Sequence, residues 1–248
     1  MLDEEMIDQW KIYNGIYNHF GRDWLNDTAN QTHPLFRVYR EEINYFKSLD
    51  MYLKEIPTKK SITDQLHDKR QFWDVYYEFE INYFLKQFGL KPQLHNEIDG
   101  KETDILLEEQ KVVLEITHLD IPYKVEEGLP HIDPTDKKTI VGKCYDISVY
   151  ASAYTRNMKR YLDQKRFQES YPNIVCFCTH LFSGDCRDLE NLMNEKNYTI
   201  TEKVSALAIW KDKRILCLFE NSQGRQFEWK SGELQRFFNY QPKARLKP

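Results

Sequence analysis

The sequence predicts a mixed α/β domain, with a central mixed sheet flanked by helices, preceded by a wholly helical N-terminal extension. Three features lead to that prediction. From Leu35 to Ile56 the apolar residues recur at steps of three and four, which is the spacing of one helix face. Residues 72–85 are apolar on nearly every side, which is typical of a buried helix. Short runs of β-forming residues then alternate with an amphipathic helix, an order that indicates an α/β sandwich.

The helical extension is expected to span residues 1–69, and the α/β domain residues 70–248. Within the extension, the apolar spacing predicts a short helix over 3–20 and a second over 35–56. Pro57 ends the second helix, because its ring cannot continue a helical backbone. The extension carries no catalytic signature, so functional residues are expected in the α/β domain.

The α/β domain is predicted to begin with the buried helix, which ends at Gly89, a common C-terminal stop. Two β-type runs around a short polar turn predict a hairpin, and a long helix, a third strand and a second hairpin follow. Residues 120–142 are rich in Pro, Gly and charge, and predict a long flexible loop, a feature that is often functional. The predicted elements after the first helix are 103–107, 111–117, 146–169 (helical), 173–179, 204–210 and 214–220.

The composition describes a folded chain that is expected to lie in the cytoplasm. Hydrophobic residues make up 41% of the 248 residues and charged residues 30%, so a core can form. No apolar run approaches the roughly 20 residues that cross a bilayer, and the acidic start is unlike a signal peptide. The net charge of −4 does not mark a nucleic-acid binder, although a local basic face could contact phosphates.

The five cysteines form no CxxC pair. Cys176 and Cys178 lie two apart on one predicted strand, but no second pair of ligands completes a zinc site. We therefore expect buried, reduced thiols.

Three acidic residues stand inside apolar elements: Glu78 on the buried helix, and Asp104 and Glu115 on the first hairpin. The alternation of side chains along a strand allows Asp104 and Glu115 to share one face of the sheet. Two carboxylates that lie close together repel each other unless a proton or a cation lies between them, and Mg²⁺ suits that role. The alternative is that each acid merely caps or pairs at the edge of its element. Glu80 competes with Glu78 but lies on another face of the helix.

This order of residues resembles the core of the PD-(D/E)XK (restriction-endonuclease-like) nucleases. In that core a helix glutamate precedes a hairpin that bears Asp and then Glu-x-Lys. Here Glu78 matches the helix glutamate, Asp104 matches the Asp, and Glu115-Ile116-Thr117 matches Glu-x-Lys except that Thr replaces the Lys. The passage from the helix residues 159–168 to the strand at 171–175 also resembles the family. The resemblance covers residues 72–220 and leaves the first seventy uncovered.

The resemblance implies a restriction-endonuclease-like fold and a metal-dependent nuclease that hydrolyses DNA, with RNA as the less favoured substrate. Asp104, Glu115 and the main-chain carbonyl of Ile116 would bind Mg²⁺, with Mn²⁺ as an alternative. Glu78 would complete the metal site directly or through water.

One departure from the family motif matters for catalysis. Thr117 occupies the lysine position and cannot place a positive charge beside the attacking water. Lys165 is our candidate replacement, because it and Gln168 continue the apolar stripe of their helix beyond Leu162 and could point inward. Both residues are therefore predicted to be catalytic, together with Glu78, Asp104, Glu115 and Thr117. The alternative is that the stem of Lys165 covers apolar surface while its amine reaches water. Lys101 and Lys143 are weaker candidates, since each flanks a loop.

The expected partner is a nucleic acid, with no membrane partner, and the oligomeric state stays open, a homodimer included. The basic side chains of Lys159, Arg160 and Arg166 would track its phosphates, although a solvated helix face explains them equally well. A second hypothesis is a catalytically inactive module of the same fold that binds nucleic acid or serves as a scaffold, which Thr117 favours. A third is a protein-interaction role for the aromatic-rich N-terminal helices.

Overall fold

The computed structural model describes residues 10–36, 45–119, 148–179, 186–195, 198–225 and 232–239. The described residues form two compact units, the first ending at Glu80 and the second beginning at Ile81. The division falls inside the buried helix that the sequence analysis assigned to the α/β domain. The predicted loop at 120–142, as well as Lys143 and Cys144, lies outside the described residues.

The first unit is helical throughout its described residues. Of the predicted helix over 35–56, residues 35–36 lie in a 3-10 segment, and the α-helix that the structure describes is Tyr45–Lys54. The predicted helix over 3–20 is described from Trp10, is interrupted at Ile12 and Tyr13, and resumes as Asn14–Phe20. Two short 3-10 segments, Thr28–Thr32 and Pro34–Phe36, follow the helix at Arg22–Asn26. The helices are α1 (Asn14–Phe20), α2 (Arg22–Asn26), α3 (Tyr45–Lys54), α4 (Lys60–His67) and the first part of α5 (Phe72–Gln87).

Close backbone approach joins α1 to α3. The Asp50 carboxylate accepts the backbone N–H of Gly15 at 2.6 Å and of Ile16 at 3.3 Å. A Cβ atom at Gly15 would lie 2.4 Å from the carbonyl oxygen of Asp50, so only glycine allows this contact.

Rings dominate the core of the first unit. The Trp24 ring stacks on the His67 ring with centroids 4.6 Å apart, and the His33 ring meets Trp24 edge-on at 4.9 Å. His33 is fully buried, and this burial, followed by the charges of Lys69 and His67, lowers its pKa to about 3. His33 is therefore neutral in the folded chain near neutral pH.

The second unit is built on one six-stranded mixed sheet flanked by helices, which confirms the α/β prediction. Along the sheet the strands follow their order in the chain, β1 to β6. The β3–β4 and β4–β5 pairs are parallel, and the other neighbouring pairs are antiparallel. The elements are β1 (Gln93–Ile98), β2 (Lys101–Leu107), β3 (Val112–His118), α6 (Ser148–Gln164), β4 (Asn173–Cys178), α7 (Cys186–Met193), β5 (Val204–Lys211), β6 (Arg214–Glu220) and α8 (Gly232–Phe238).

The two faces of the sheet are covered by different helices. Side chains of α6 and α7 form a buried cluster with Val175 and Phe177 of β4 and with alternate residues of β5. On the opposite face, the Trp210 ring stacks on Phe237 of α8 and contacts Phe84 near the end of α5, each with centroids 5.7 Å apart. Among the described residues, no helix has the length and apolar character needed to cross a bilayer.

Candidate active site

The β2–β3 hairpin brings Asp104 and Glu115 to the same face of the sheet. Leu106 of β2 pairs with Val113 of β3 in the antiparallel register. Asp104 lies two residues before Leu106, and Glu115 lies two residues after Val113. Side chains two apart on a strand share a face. Glu115 also lies beside Val175 of the parallel neighbour β4, so this face is the one that α6 and α7 cover.

Asp104 is fixed by a backbone contact across the hairpin. Its Oδ2 accepts the N–H of Ile116 at 2.6 Å, while its Oδ1 lies 3.8 Å from Nζ of Lys165. A charge-assisted hydrogen bond of this kind fixes the orientation of the carboxylate.

Lys165 joins the two acids. Its Nζ lies 2.5 Å from Oε2 of Glu115, whose side chain is 1% exposed, whereas Asp104 and Lys165 are 17% and 26% exposed. The backbone N–H of Lys165 donates to the carbonyl oxygen of Tyr161 at 2.8 Å. This hydrogen bond to the last turn of α6 fixes the backbone position of Lys165. A carboxylate buried as deeply as Glu115 requires a counter-charge, which Lys165 supplies.

Gln168 and Asn173 hold the segment that carries Lys165. The amide nitrogen of Gln168 donates to the carbonyl oxygen of Lys101 at 3.0 Å, and its backbone N–H donates to Oδ1 of Asn173 at 3.2 Å. Nδ2 of Asn173 donates in turn to the carbonyl oxygens of Gln168 and Lys203, at 2.9 and 2.8 Å. Among the described residues, no hydrogen bond joins Gln168 to either acid, so its predicted catalytic role stays a prediction.

The remaining motif residues differ in what the structure says of them. Thr117 is half-buried on β3 beside Phe177, on the same face as Glu115. Ile116 is buried, and its N–H serves Asp104, while a role for its carbonyl oxygen stays a prediction. Glu78 is buried on α5 but belongs to the first unit, so its part in the acidic site also stays a prediction.

The competing residues are engaged elsewhere. Oε2 of Glu80 accepts the hydroxyls of Tyr52 and Tyr76 at 2.9 and 3.3 Å. The ammonium of Lys101 donates to the carbonyl oxygen of Phe167 at 3.1 Å. Of the two lysines that the structure describes among the candidates, Lys165 is the one that meets the acids.

The three basic residues predicted to contact phosphates differ in their surroundings. Nζ of Lys159 lies 2.8 Å from Oε1 of Glu195 and 4.5 Å from the ring centroid of Tyr198. Arg160 and Arg166 are exposed. The charge of Lys159 is therefore already partnered, which leaves the two arginines as the better candidates.

The sequence analysis did not connect two neighbouring residues, Asn173 and Cys176, with the site. Asn173 begins a strand that is otherwise apolar, directly after Pro172, and that position is its one sequence signal. Cys176 is buried, and burial, with the charge of Asp104, raises the pKa of its thiol to about 12. The Cys176 thiol is therefore protonated and unreactive, in agreement with the expected reduced cysteines. The described cysteines are all free thiols.

The donor set is compatible with a single Mg²⁺. Two carboxylates converge on one cation, the Lys165 ammonium, and Mg²⁺ is usually held by one or two carboxylates together with water. No group of three or more His, Cys, Asp or Glu side chains able to hold a metal occurs among the described residues. Asp104 and Glu115 would therefore need main-chain oxygen, water or substrate as additional ligands.

Comparisons with protein-family models, curated proteins and solved structures gave no match. The likeness to the PD-(D/E)XK nucleases therefore remains a resemblance, based on the order of the acidic residues along the chain.

Proposed function

We propose that this chain is a metal-dependent nuclease that hydrolyses the phosphodiester bonds of DNA, with RNA as the less favoured substrate. One observation carries the proposal. Asp104 and Glu115, on neighbouring strands, converge on the ammonium of Lys165, which arrives from another element. Two acids and one lysine are the groups that the resemblance requires, although the lysine comes from a different position in the chain.

Each side chain has a distinct role in this proposal. Asp104 and Glu115 would hold Mg²⁺ or Mn²⁺, which supplies Lewis-acid activation of water and offsets charge on the phosphate. The Lys165 ammonium would stabilise negative charge as it develops on the phosphate. The hydroxyl of Thr117, on the face of Glu115, would orient the attacking water by hydrogen bonding.

A second candidate function is a binding or scaffold module without catalysis. Thr117 at the lysine position favours it, as does the lack of a group of three ligating side chains among the described residues. In that case Lys165 is purely structural and neutralises two acids on a covered face of the sheet.

Cleavage of supercoiled plasmid DNA in the presence of Mg²⁺ or Mn²⁺ distinguishes the two functions. We expect the wild type to nick the plasmid and Asp104→Asn to lose at least about a hundredfold in rate, because one metal-binding oxygen charge is removed. Asp163→Asn, an exposed change on α6, is the matched control and should cleave at the wild-type rate. Metal-dependent cleavage that survives Asp104→Asn would contradict the proposal, and so would a wild type that cleaves neither DNA nor RNA.

A further inference from the structure

Two cysteines meet between α7 and the sheet. Cys186 is the first residue of α7, and Cys217 lies in the middle of β6. Both side chains are half-buried, whereas Cys176 and Cys178 on β4 are fully buried. Among the described cysteines, a small reagent in the solvent therefore reaches Cys186 and Cys217 first.

The register of the sheet places Cys217 on the face that α7 covers. Cys217 pairs with Ile209 in the antiparallel register of β5 and β6, and directly paired residues share a face. Ile209 belongs to the buried cluster that the sheet forms with α6 and α7, and Cys217 packs against that cluster. The Cys217 side chain therefore lies on the α7 side of the sheet.

The helix geometry of α7 directs Cys186 towards the same place. Leu189 and Leu192 of α7 are 0% exposed and belong to the buried cluster. Cys186 lies three residues before Leu189, and residues three apart share one side of a helix. The two thiols therefore converge between helix and sheet, where a hydrogen bond joins them.

The contact gives the two sulfurs different roles. Burial, followed by the hydrogen bond and the charge of Cys186, raises the pKa of the Cys217 thiol. Cys217 therefore keeps its proton near neutral pH and is the donor of the hydrogen bond. Because the attacking form of cysteine is the thiolate, Cys186 is the sulfur that reacts first.

We propose that Cys186 and Cys217 are a redox-sensitive pair that hydrogen peroxide converts into an intramolecular disulfide. The Cys186 sulfur attacks one peroxide oxygen and the O–O bond breaks. Cys186 becomes a sulfenic acid, and its proton leaves with the departing hydroxide as water. The Cys217 sulfur then attacks the Cys186 sulfur, the S–O bond breaks, and the hydroxyl leaves as water with the Cys217 proton. The two sulfurs lose two electrons in all, and the peroxide is reduced to two waters.

The disulfide would tie the start of α7 to β6, on the face of the sheet that carries Asp104 and Glu115. It would close the chain between residues 186 and 217, which lowers the conformational entropy of the unfolded state. The thermal unfolding midpoint of the oxidised chain should therefore lie about 5–15 °C above that of the reduced chain. The proposal does not depend on the nuclease function, because no atom of the acidic site takes part in the reaction.

Thiol counting on the full chain tests the pair. The reduced chain is treated with hydrogen peroxide in EDTA, the remaining thiols are alkylated, and linked peptides are identified by mass spectrometry. Cleavage after Phe182 by chymotrypsin separates Cys186 from the cysteines of β4. We expect the loss of two of the five thiols and a peptide that links Cys186 to Cys217, both reversed by dithiothreitol.

Serine variants assign the roles of the two sulfurs. Cys186→Ser and Cys217→Ser should each abolish the link. In Cys217→Ser the sulfenic acid of Cys186 has no partner, so dimedone should label Cys186. Cys178→Ala, which removes a fully buried thiol, is the matched control and should keep the link.

Several results would overturn the proposal. Retention of all thiols under peroxide would do so, as would a link to another cysteine or between two chains. A link that survives either serine variant would also contradict the pairing. An unfolding midpoint that does not rise on oxidation would show that the bond does not fit the folded chain. Absence of dimedone labelling in Cys217→Ser would contradict the assigned first step.

Discussion

Glu115 is the residue on which the candidate site depends. Its carboxylate is almost wholly buried within β3, and the ammonium of Lys165 lies 2.5 Å from it. Burying a carboxylate is costly without a counter-charge, so the stability of the fold requires the positive charge of Lys165 beside Glu115. The proposed chemistry requires the same charge in the same place. The sequence analysis selected this lysine from the apolar stripe of a helix that was expected to reach residue 169. That boundary was wrong, because α6 ends at Gln164 and both Lys165 and Gln168 lie in the connection that follows it. The sequence could not predict how deeply Glu115 is buried, since burial depends on α6 and α7 covering that face.

Replacement of Lys165 should affect both activity and stability. Lys165→Ala is expected to slow cleavage about a hundredfold, because one donor to the developing charge is lost. It should also lower the free energy of unfolding by about 1–3 kcal/mol, since Glu115 loses its partner. Lys165→Arg should retain part of both properties. Cleavage rates and urea unfolding measure the two effects.

Thr117→Lys in the Lys165→Ala background is the matched test. It returns a positive charge to the face of Glu115 and should restore at least about tenfold in rate. Cleavage by Lys165→Ala at the wild-type rate would remove Lys165 from the proposed mechanism.

His33 gives the first unit a defined response to acid. Its pKa is lowered from 6.5 to about 3 in the folded chain, so between these values the unfolded chain binds the additional proton. The free energy of unfolding should therefore fall as pH drops from 6.5 towards 3, with a contribution of about 1.4 kcal/mol per pH unit. Above pH 6.5 the His33 contribution is constant.

Urea unfolding at several pH values, followed by tryptophan fluorescence, measures this slope. Trp24 stacks on His67 within the same cluster and reports on it. His33→Phe should reduce the slope by that amount. An equal slope in the variant would show that other groups titrate in this range.

At the scale of elements, the segment between α6 and β4 positions Lys165. Its conformation depends on Asn173, a fully buried side chain that bonds to the backbone on both sides. The sequence predicted the helix and the strand, because both have a clear apolar pattern. It did not predict the connection, because the hydrogen bonds of Asn173 join segments that are distant along the chain.

Asn173→Ala should therefore destabilise the second unit strongly. The change leaves several buried backbone groups without a partner, and the free energy of unfolding should fall by about 2–4 kcal/mol. Asn194→Ala, an exposed change just after α7, is the control and should stay within about 0.5 kcal/mol of the wild type. A small effect of Asn173→Ala in urea unfolding would mean that this segment is held by other contacts.

At the scale of the molecule, hydrophobic patterning predicted five of the six strands that the structure describes and the two hairpins among them. The edge strand β1 escaped prediction because Leu94 and Ile98 are its only aliphatic residues, and pairing with β2 stabilises it. The division between the units, at Glu80 and Ile81, falls within one continuous apolar helix. A pattern without a break gives no sequence signal for such a boundary.

The proposed nuclease activity requires Asp104 and Glu115 to bind one divalent metal together, and the Lys165 ammonium is the cation that meets both acids in the structure. Binding of Mn²⁺, followed by the electron paramagnetic resonance signal of the free ion, tests it most directly. The wild type should bind one Mn²⁺, and Asp104→Asn and Glu115→Gln should each lose it. Lys165→Met should bind at least as tightly as the wild type, since a competing positive charge is gone. Absence of Mn²⁺ binding by the wild type, or binding by either acid variant as tight as that of the wild type, would contradict the proposed metal site.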